Sequence, residues 1–132
     1  MKISLEHVGL PAADAAALAQ WYERVLGAKR LWDNGQTPPT CLLALGDGAW
    51  VEIYAANAEI NSTRGDNKLA GFRHLALRVD SLDAAKTELT ARGVTFTEEI
   101  RPAAGGGKVL FFTDPEGNLL HFVERLPGGF AV

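Results

Sequence analysis

Gly48-Ala49-Trp50-Val51-Glu52 and Gly117-Asn118-Leu119-Leu120-His121 share one layout: a turn glycine, then an ionisable side chain four residues later in a run of strand-type residues. A second pair of stretches repeats ahead of them. His7-Val8-Gly9-Leu10 overlays His74-Leu75-Ala76-Leu77, and an acidic or polar helix cap follows each. From His7 to Glu52 is 45 residues and from His74 to His121 is 47. Self-similarity of this kind means that one supersecondary unit occurs twice.

Reading outward from Trp50-Val51-Glu52-Ile53-Tyr54, the first copy predicts a strand over 3–10, with Pro11 fixing a turn before Asp14, a helix N-cap. The helix runs over 15–26, with Leu18, Trp21 or Tyr22, Val25 and Leu26 on one face, and Gly27 just past its end. Strands follow over about 29–33, 40–45 and 49–55, separated by a polar loop through Asn34-Gly35 and Pro38-Pro39 and by the turn Gly46-Asp47-Gly48. The second copy predicts a strand over 71–79 and a helix from the Ser81 cap to about 92, ended by Gly93, with Leu82, Ala85 and Leu89 on one face. Strands at about 94–99, 108–113 and 118–124 complete it, with Gly105-Gly106-Gly107 read as a mobile loop. The expected architecture is α+β: one domain over 1–132 made of two βαβββ modules, 1–56 and 71–126, joined by a polar linker over 57–70.

Strand alternation assigns the faces. Val8, Leu10, Val51, Ile53, Leu75, Leu77, Val79, Leu120 and Phe122 point one way, where helices can cover them. The other face holds His7, Trp50, Glu52, Tyr54, Phe72, His74, Leu119 and His121, and lines a cavity if the sheets curve towards each other. A carboxylate buried on such a face without a partner costs several kcal/mol. Glu52 therefore needs a hydrogen bond, an ion pair with Arg73 or Arg78, or a cation. All three histidines of the chain occupy repeat-equivalent positions, so His7, Glu52, His74 and His121 are expected to converge on one divalent metal. Trp50, Tyr54, Phe72 and Leu119 are the candidate substrate-binding wall, although aromatic core filler would show the same spacing.

Bulk properties narrow the classes. A formal charge of -3, with 13 basic residues scattered along the chain, leaves no footprint for nucleic acid or an anionic membrane. No apolar run approaches the length of a membrane span and the N-terminus has no apolar leader core, so a cytoplasmic location is the expectation. The single Cys41 cannot form an internal disulfide, and no basic neighbour in sequence activates it. The charged group Glu23, Arg24, Lys29 and Arg30 reads as a solvated face.

From Glu6-His7-Val8 through Phe72-Arg73-His74-Leu75-Ala76 to Phe112-Thr113-Asp114-Pro115-Glu116-Gly117-Asn118, the chain resembles the vicinal oxygen chelate superfamily: glyoxalase I, bleomycin-resistance proteins and extradiol dioxygenases. The last block is the most specific. The resemblance implies sheets forming a U-shaped cavity, metal ligands on the first and last strand of each module, and a homodimer, with each site formed within a chain or across two. Those ligand positions are His7, Glu52, His74 and His121. The chain departs from the pattern at His121, where the last strand of these enzymes generally supplies glutamate, while Glu52 keeps the ligand found in glyoxalase I.

Three neutral imidazoles and one carboxylate leave a divalent metal with a net charge of about +1, a stronger Lewis acid than a site with two glutamates. Zinc or nickel is favoured, and iron, cobalt or manganese is compatible with the same donors. Such a metal would polarise a carbonyl and hold an enediolate while a base removes the adjacent proton. Glu52 is the candidate base and ligand, and His121 is the other candidate. The expected activity is a glyoxalase-like lyase or isomerase acting on a small α-carbonyl or thiol-adduct substrate. The alternatives are a ferrous extradiol-type dioxygenase and a non-catalytic small-molecule binding or resistance protein.

Overall fold

The computed structural model describes residues 1–58 and 65–128. The chain forms two compact units, Met1–Asn61 and Ser62–Val132, and each is an α+β unit of strand, helix and three further strands. In the first, β1 (His7–Ala12), α1 (Ala15–Leu26), β2 (Lys29–Asp33), β3 (Cys41–Ala44) and β4 (Trp50–Ala55) build a sheet of order β1-β4-β3-β2. In the second, β5 (His74–Arg78), α2 (Leu82–Ala91), β6 (Arg101–Pro102), β7 (Lys108–Thr113) and β8 (Leu119–Glu124) build a sheet of order β5-β8-β7-β6. The first and last strands pair in parallel and the remaining pairs are antiparallel, identically in both units. No helix among the described residues is long and apolar enough to cross a membrane.

Local chemistry sets the helix ends. Asp14 accepts from the Ala17 amide at 3.0 Å and Ser81 Oγ from the Ala84 amide at 3.2 Å, each satisfying a backbone donor that the first turn leaves open. Glu124 adds a further acceptor at the start of α2, taking the Leu82 amide at 2.7 Å. Helix α1 buries Leu18, Ala19, Tyr22 and Val25, and Val51 and Ile53 are buried on β4. In the second unit Leu82 and Leu89 of α2 are buried, as are Leu110, Phe112, Leu120 and Phe122 on β7 and β8. Cys41 is fully buried as well; desolvation pushes its thiol pKa up and leaves it a small core filler.

Several elements differ from the sequence expectations, each for a structural reason. The first strand begins at His7, not residue 3, and the backbone contact there is the Trp50 amide donating to Glu6 O at 2.8 Å. The turn before Trp50 leaves Ile3 and Leu5 without a ladder partner, and both are exposed. Pro11 lies inside β1 and makes no turn. β1 is an edge strand, where a missing N–H can be tolerated. Strand β5 begins at His74, so Phe72 precedes it.

The strand expected over 94–99 does not form, and the ladder in that region is the two-residue β6. Alternation there is real: Val94 is buried and Phe96 packs edge-to-face on Phe112 at 5.7 Å. What the segment lacks is a hydrogen-bonded neighbour. The glycine loop is pinned, because Arg125 Nη1 donates to Gly106 O at 2.9 Å and also to Ala104 O. Gly107 has φ 92°, and a Cβ there would collide with the Glu124 carbonyl oxygen, so only glycine fits. Of the charged group on α1 and β2, Arg30 and Glu23 form a half-buried ion pair at 2.6 Å, not a fully solvated face. The described parts of the linker, 57–58 and 65–70, contain turns and bends and no regular element.

Candidate functional site

Each unit brings its two predicted ligands together by the same register. His7 stands opposite Trp50, and Gly9 opposite Glu52, so His7 and Glu52 are diagonal neighbours on one face of adjacent parallel strands. His74 stands opposite Leu119 and Ala76 opposite His121, giving the same diagonal. Side chains so placed are within reach across a strand pair. In both units the residue directly across from the second ligand is small, Gly9 or Ala76. Tyr54 leans over Gly9, where a Cβ would come 3.2 Å from its hydroxyl.

The surroundings differ. In the first unit His7 is exposed and Glu52, Trp50 and Tyr54 are half-buried. His7 Nδ1 lies 2.9 Å from Glu6 Oε1. In the second unit the rings of His74 and His121 are 4.7 Å apart and both pack against Phe111, at 5.6 and 4.6 Å. His74 Nδ1 lies 2.7 Å from Asn67 Oδ1. A carboxylate or amide oxygen can only accept, so Nδ1 is the donor in each contact.

His121 is half-buried, and its Nδ1 is buried with no hydrogen-bond partner. Its pKa is lowered to about 4, first by desolvation and then by the charges of His74, Arg125 and Arg101. The ring is therefore neutral at physiological pH. Leu119 is half-buried beside the cluster of Val109, Phe111 and Val123, whereas Phe72 is fully exposed. The face expected to line a cavity is less covered than that reading implies: His7 and His74 are exposed and only His121 is half-buried. Among the described residues no group of three or more His, Cys, Asp and Glu side chains is gathered so as to hold a metal.

Asp114 explains the most specific sequence block. It is 4 % exposed, and its carboxylate accepts from the Glu116 and Asn118 amides at 2.9 and 3.0 Å and from Asn118 Nδ2 at 2.8 Å. This turn sets the start of β8 and, two residues on, the strand face that His121 shares with Leu119. Sequence reading missed Glu6, Asn67, Arg101 and Phe111 as site components. Glu6 was findable as the neighbour of His7. Asn67 lies in a polar linker and carries no periodic signal.

The fold and these faces define a class. A profile of the Glyoxalase/Bleomycin resistance protein/Dioxygenase superfamily matches residues 4–122, and the chain belongs to that superfamily. Lactoylglutathione lyase of Haemophilus influenzae is 30% identical over 126 residues, covering 90% of each chain. Among solved structures, SMU.1112c superposes with a TM-score of 0.76 at 28% identity, over 94% of this chain and all of the other. The fosfomycin resistance protein FosX of Listeria monocytogenes, in complex with Mn(II) and a dihydroxypropylphosphonic acid, shares the fold at 18% identity with a TM-score of 0.70, over 96% of this chain and 93% of its own.

Proposed function

We propose that the protein is a metal-dependent lyase or isomerase of glyoxalase type, acting on a small oxygenated substrate, an α-carbonyl compound or its thiol adduct. His7, Glu52, His74 and His121 are its ligands for one divalent cation. The observation that carries this reading is the His74–His121 pair: one ring tied through Nδ1 to Asn67, the other half-buried with an unpartnered ring nitrogen. A buried polar atom left unsatisfied costs about 1–3 kcal/mol, a cost that a cation removes. The donor set suits the cation too, since neutral imidazole and carboxylate oxygen are ordinary ligands for zinc, nickel, iron, cobalt and manganese. The similarity to a lactoylglutathione lyase favours the same chemistry, and Mn(II) in FosX is a precedent for a divalent ion on this fold.

When bound, the cation supplies Lewis-acid polarisation of the substrate carbonyl. Glu52 takes the proton from the adjacent carbon, and β4 holds its carboxylate on the same face as Trp50 and Tyr54. His121 stays neutral at physiological pH and keeps its lone pair available; it is the second group able to hold a proton. Asn67 and Glu6 orient the rings of His74 and His7 through Nδ1. Trp50, Tyr54, Leu119 and Phe72 contact the substrate. A homodimer belongs to the same reading. The test is elemental analysis of protein purified without an affinity tag, followed by turnover of methylglyoxal with a thiol and by oxygen uptake with catechols. One divalent ion per chain and thiol-dependent turnover are expected. Metal-free protein indifferent to added zinc, nickel or manganese, or oxygen uptake alone, overturns the reading.

A further inference from the structure

The second unit carries a cation that the proposed chemistry does not use. Arg101, on β6, places its guanidinium carbon 4.7 Å from the centroid of the Phe111 ring. The other ring neighbours of Phe111 are His121, at 4.6 Å, and His74, at 5.6 Å, both edge-to-face. These separations put the guanidinium no more than about 9 Å from the His121 ring, with the cation held by the ring face. Stacking fixes the plane of an arginine while its N–H donors stay directed sideways, the geometry that receives a carboxylate or phosphonate.

Arg101 has one acidic neighbour among the described residues, Glu98, at 3.7 Å, with both side chains about half exposed. That separation is longer than a hydrogen bond, and exposed pairs of this kind contribute little. The remaining charges that reach His121 are those of His74 and Arg125. Lys108, on the same strand as Phe111, is directed to Asp83 and Glu124, at 3.9 Å each. Phe111, which touches both imidazoles and Arg101, belongs to a buried apolar cluster with Val109 and Val123. The face therefore has an imidazole end and a guanidinium end, each in contact with the Phe111 ring.

We infer that Arg101 recognises an anionic group on the small molecule bound at the His74–His121 face, so that the substrate class is an oxygenated compound bearing a carboxylate, phosphonate or phosphate a few bonds from its reacting carbonyl. This deepens the reading above and rests on His74 and His121 as the oxygen-binding end. A carbonyl compound with no charge fills one end only.

Two hydroxypyranones separate the possibilities: kojic acid, with a neutral hydroxymethyl arm, and comenic acid, with a carboxylate arm on the same chelating ring. Titrations of both into zinc-loaded protein are expected to show comenate bound about tenfold or more tightly than kojic acid. The preference disappears in Arg101→Gln and returns in part in Arg101→Lys, while zinc uptake is the same in all three proteins. Equal binding of the two pyranones by the wild type, or a preference that survives Arg101→Gln, overturns the inference and leaves the metal reading standing. An Arg101-dependent preference in protein that takes up no zinc upholds anion recognition and sinks the metal reading alone.

Discussion

The face that carries His7 and Glu52 and the face that carries His74 and His121 are built on one strand order and one diagonal register, yet their environments diverge. The first is open: an exposed imidazole beside a half-buried carboxylate, with Tyr54 leaning over Gly9. The second is packed with rings, bordered by arginines and without a carboxylate among the charges that act on His121. Duplication has preserved where an ionisable side chain stands and has not preserved what surrounds it. The first face thus holds a carboxylate beside an imidazole, and the second two imidazoles with arginine charge acting on His121.

That division of labour is broken most sharply at position 52. Glu52→Gln keeps the size of the side chain and removes its basicity, so thiol-dependent methylglyoxal turnover is expected to fall by about a hundredfold or more. His121→Gln, on the other face, should lower metal content along with rate. Measuring kcat and bound metal on the same samples checks the contrast. Full turnover in Glu52→Gln would move the base to His121.

The two turns that introduce the last strands provide the next test. Asp114 is buried and holds three N–H groups at the β7–β8 turn, whereas Asp47, at the β3–β4 turn, is exposed. Asp114→Ala leaves those donors without their acceptor and is expected to cost about 2–4 kcal/mol, read as a fall in the urea midpoint. Asp47→Ala should lie within about 0.5 kcal/mol of wild type. Similar losses at both positions would mean that the turns are equivalent and that the buried network contributes nothing.

Much of this organisation was legible from the chain. Helix α1 over Ala15–Leu26, both N-caps and the strand face shared by His7 with Glu52 and by His74 with His121 follow from apolar spacing and from residues whose side chains can cap. Alternation, however, records which face a residue occupies, and is silent on whether a backbone neighbour exists. Val94 and Phe96 alternate inward without forming a strand, and Ile3 and Leu5 alternate with nothing to pair with. Burial was misjudged for a related reason, because period two cannot tell a covered face from an open one. Arg101 and Asn67 were invisible because each meets the site from a short or irregular element, through contacts that no periodicity encodes.

The atoms that orient the two exposed imidazoles offer a finer comparison. Asn67 holds His74 from a linker at 2.7 Å, and Glu6 holds His7 from the adjacent residue at 2.9 Å. Removing an outer partner of a metal-binding histidine typically weakens metal affinity about tenfold or more. Asn67→Ala is expected to show that loss in competition with a fluorescent zinc chelator. Glu6→Ala should show a smaller one, since Glu6 is exposed and its charge is screened. The reverse order would mean that the charge of Glu6 outweighs the neutral hydrogen bond of Asn67.

The smallest effect concerns acid. His121 has a folded-state pKa of about 4, against about 6.5 for an imidazole in an unfolded chain. The unfolded state therefore binds a proton more readily, and the stability linked to His121 is fully present above about pH 6.5 and is lost as pH falls towards 4. With allowance for solvent around a half-buried ring, the loss between about pH 7 and about pH 5 is on the order of 1 kcal/mol. Metal-free protein is the sample of choice, because bound metal would add its own proton linkage. Urea midpoints of wild type and His121→Asn at the two pH values should converge as the solution is acidified, the variant lacking this term. Parallel shifts in the two proteins would place the acid sensitivity elsewhere and remove the main electrostatic contrast between the two faces.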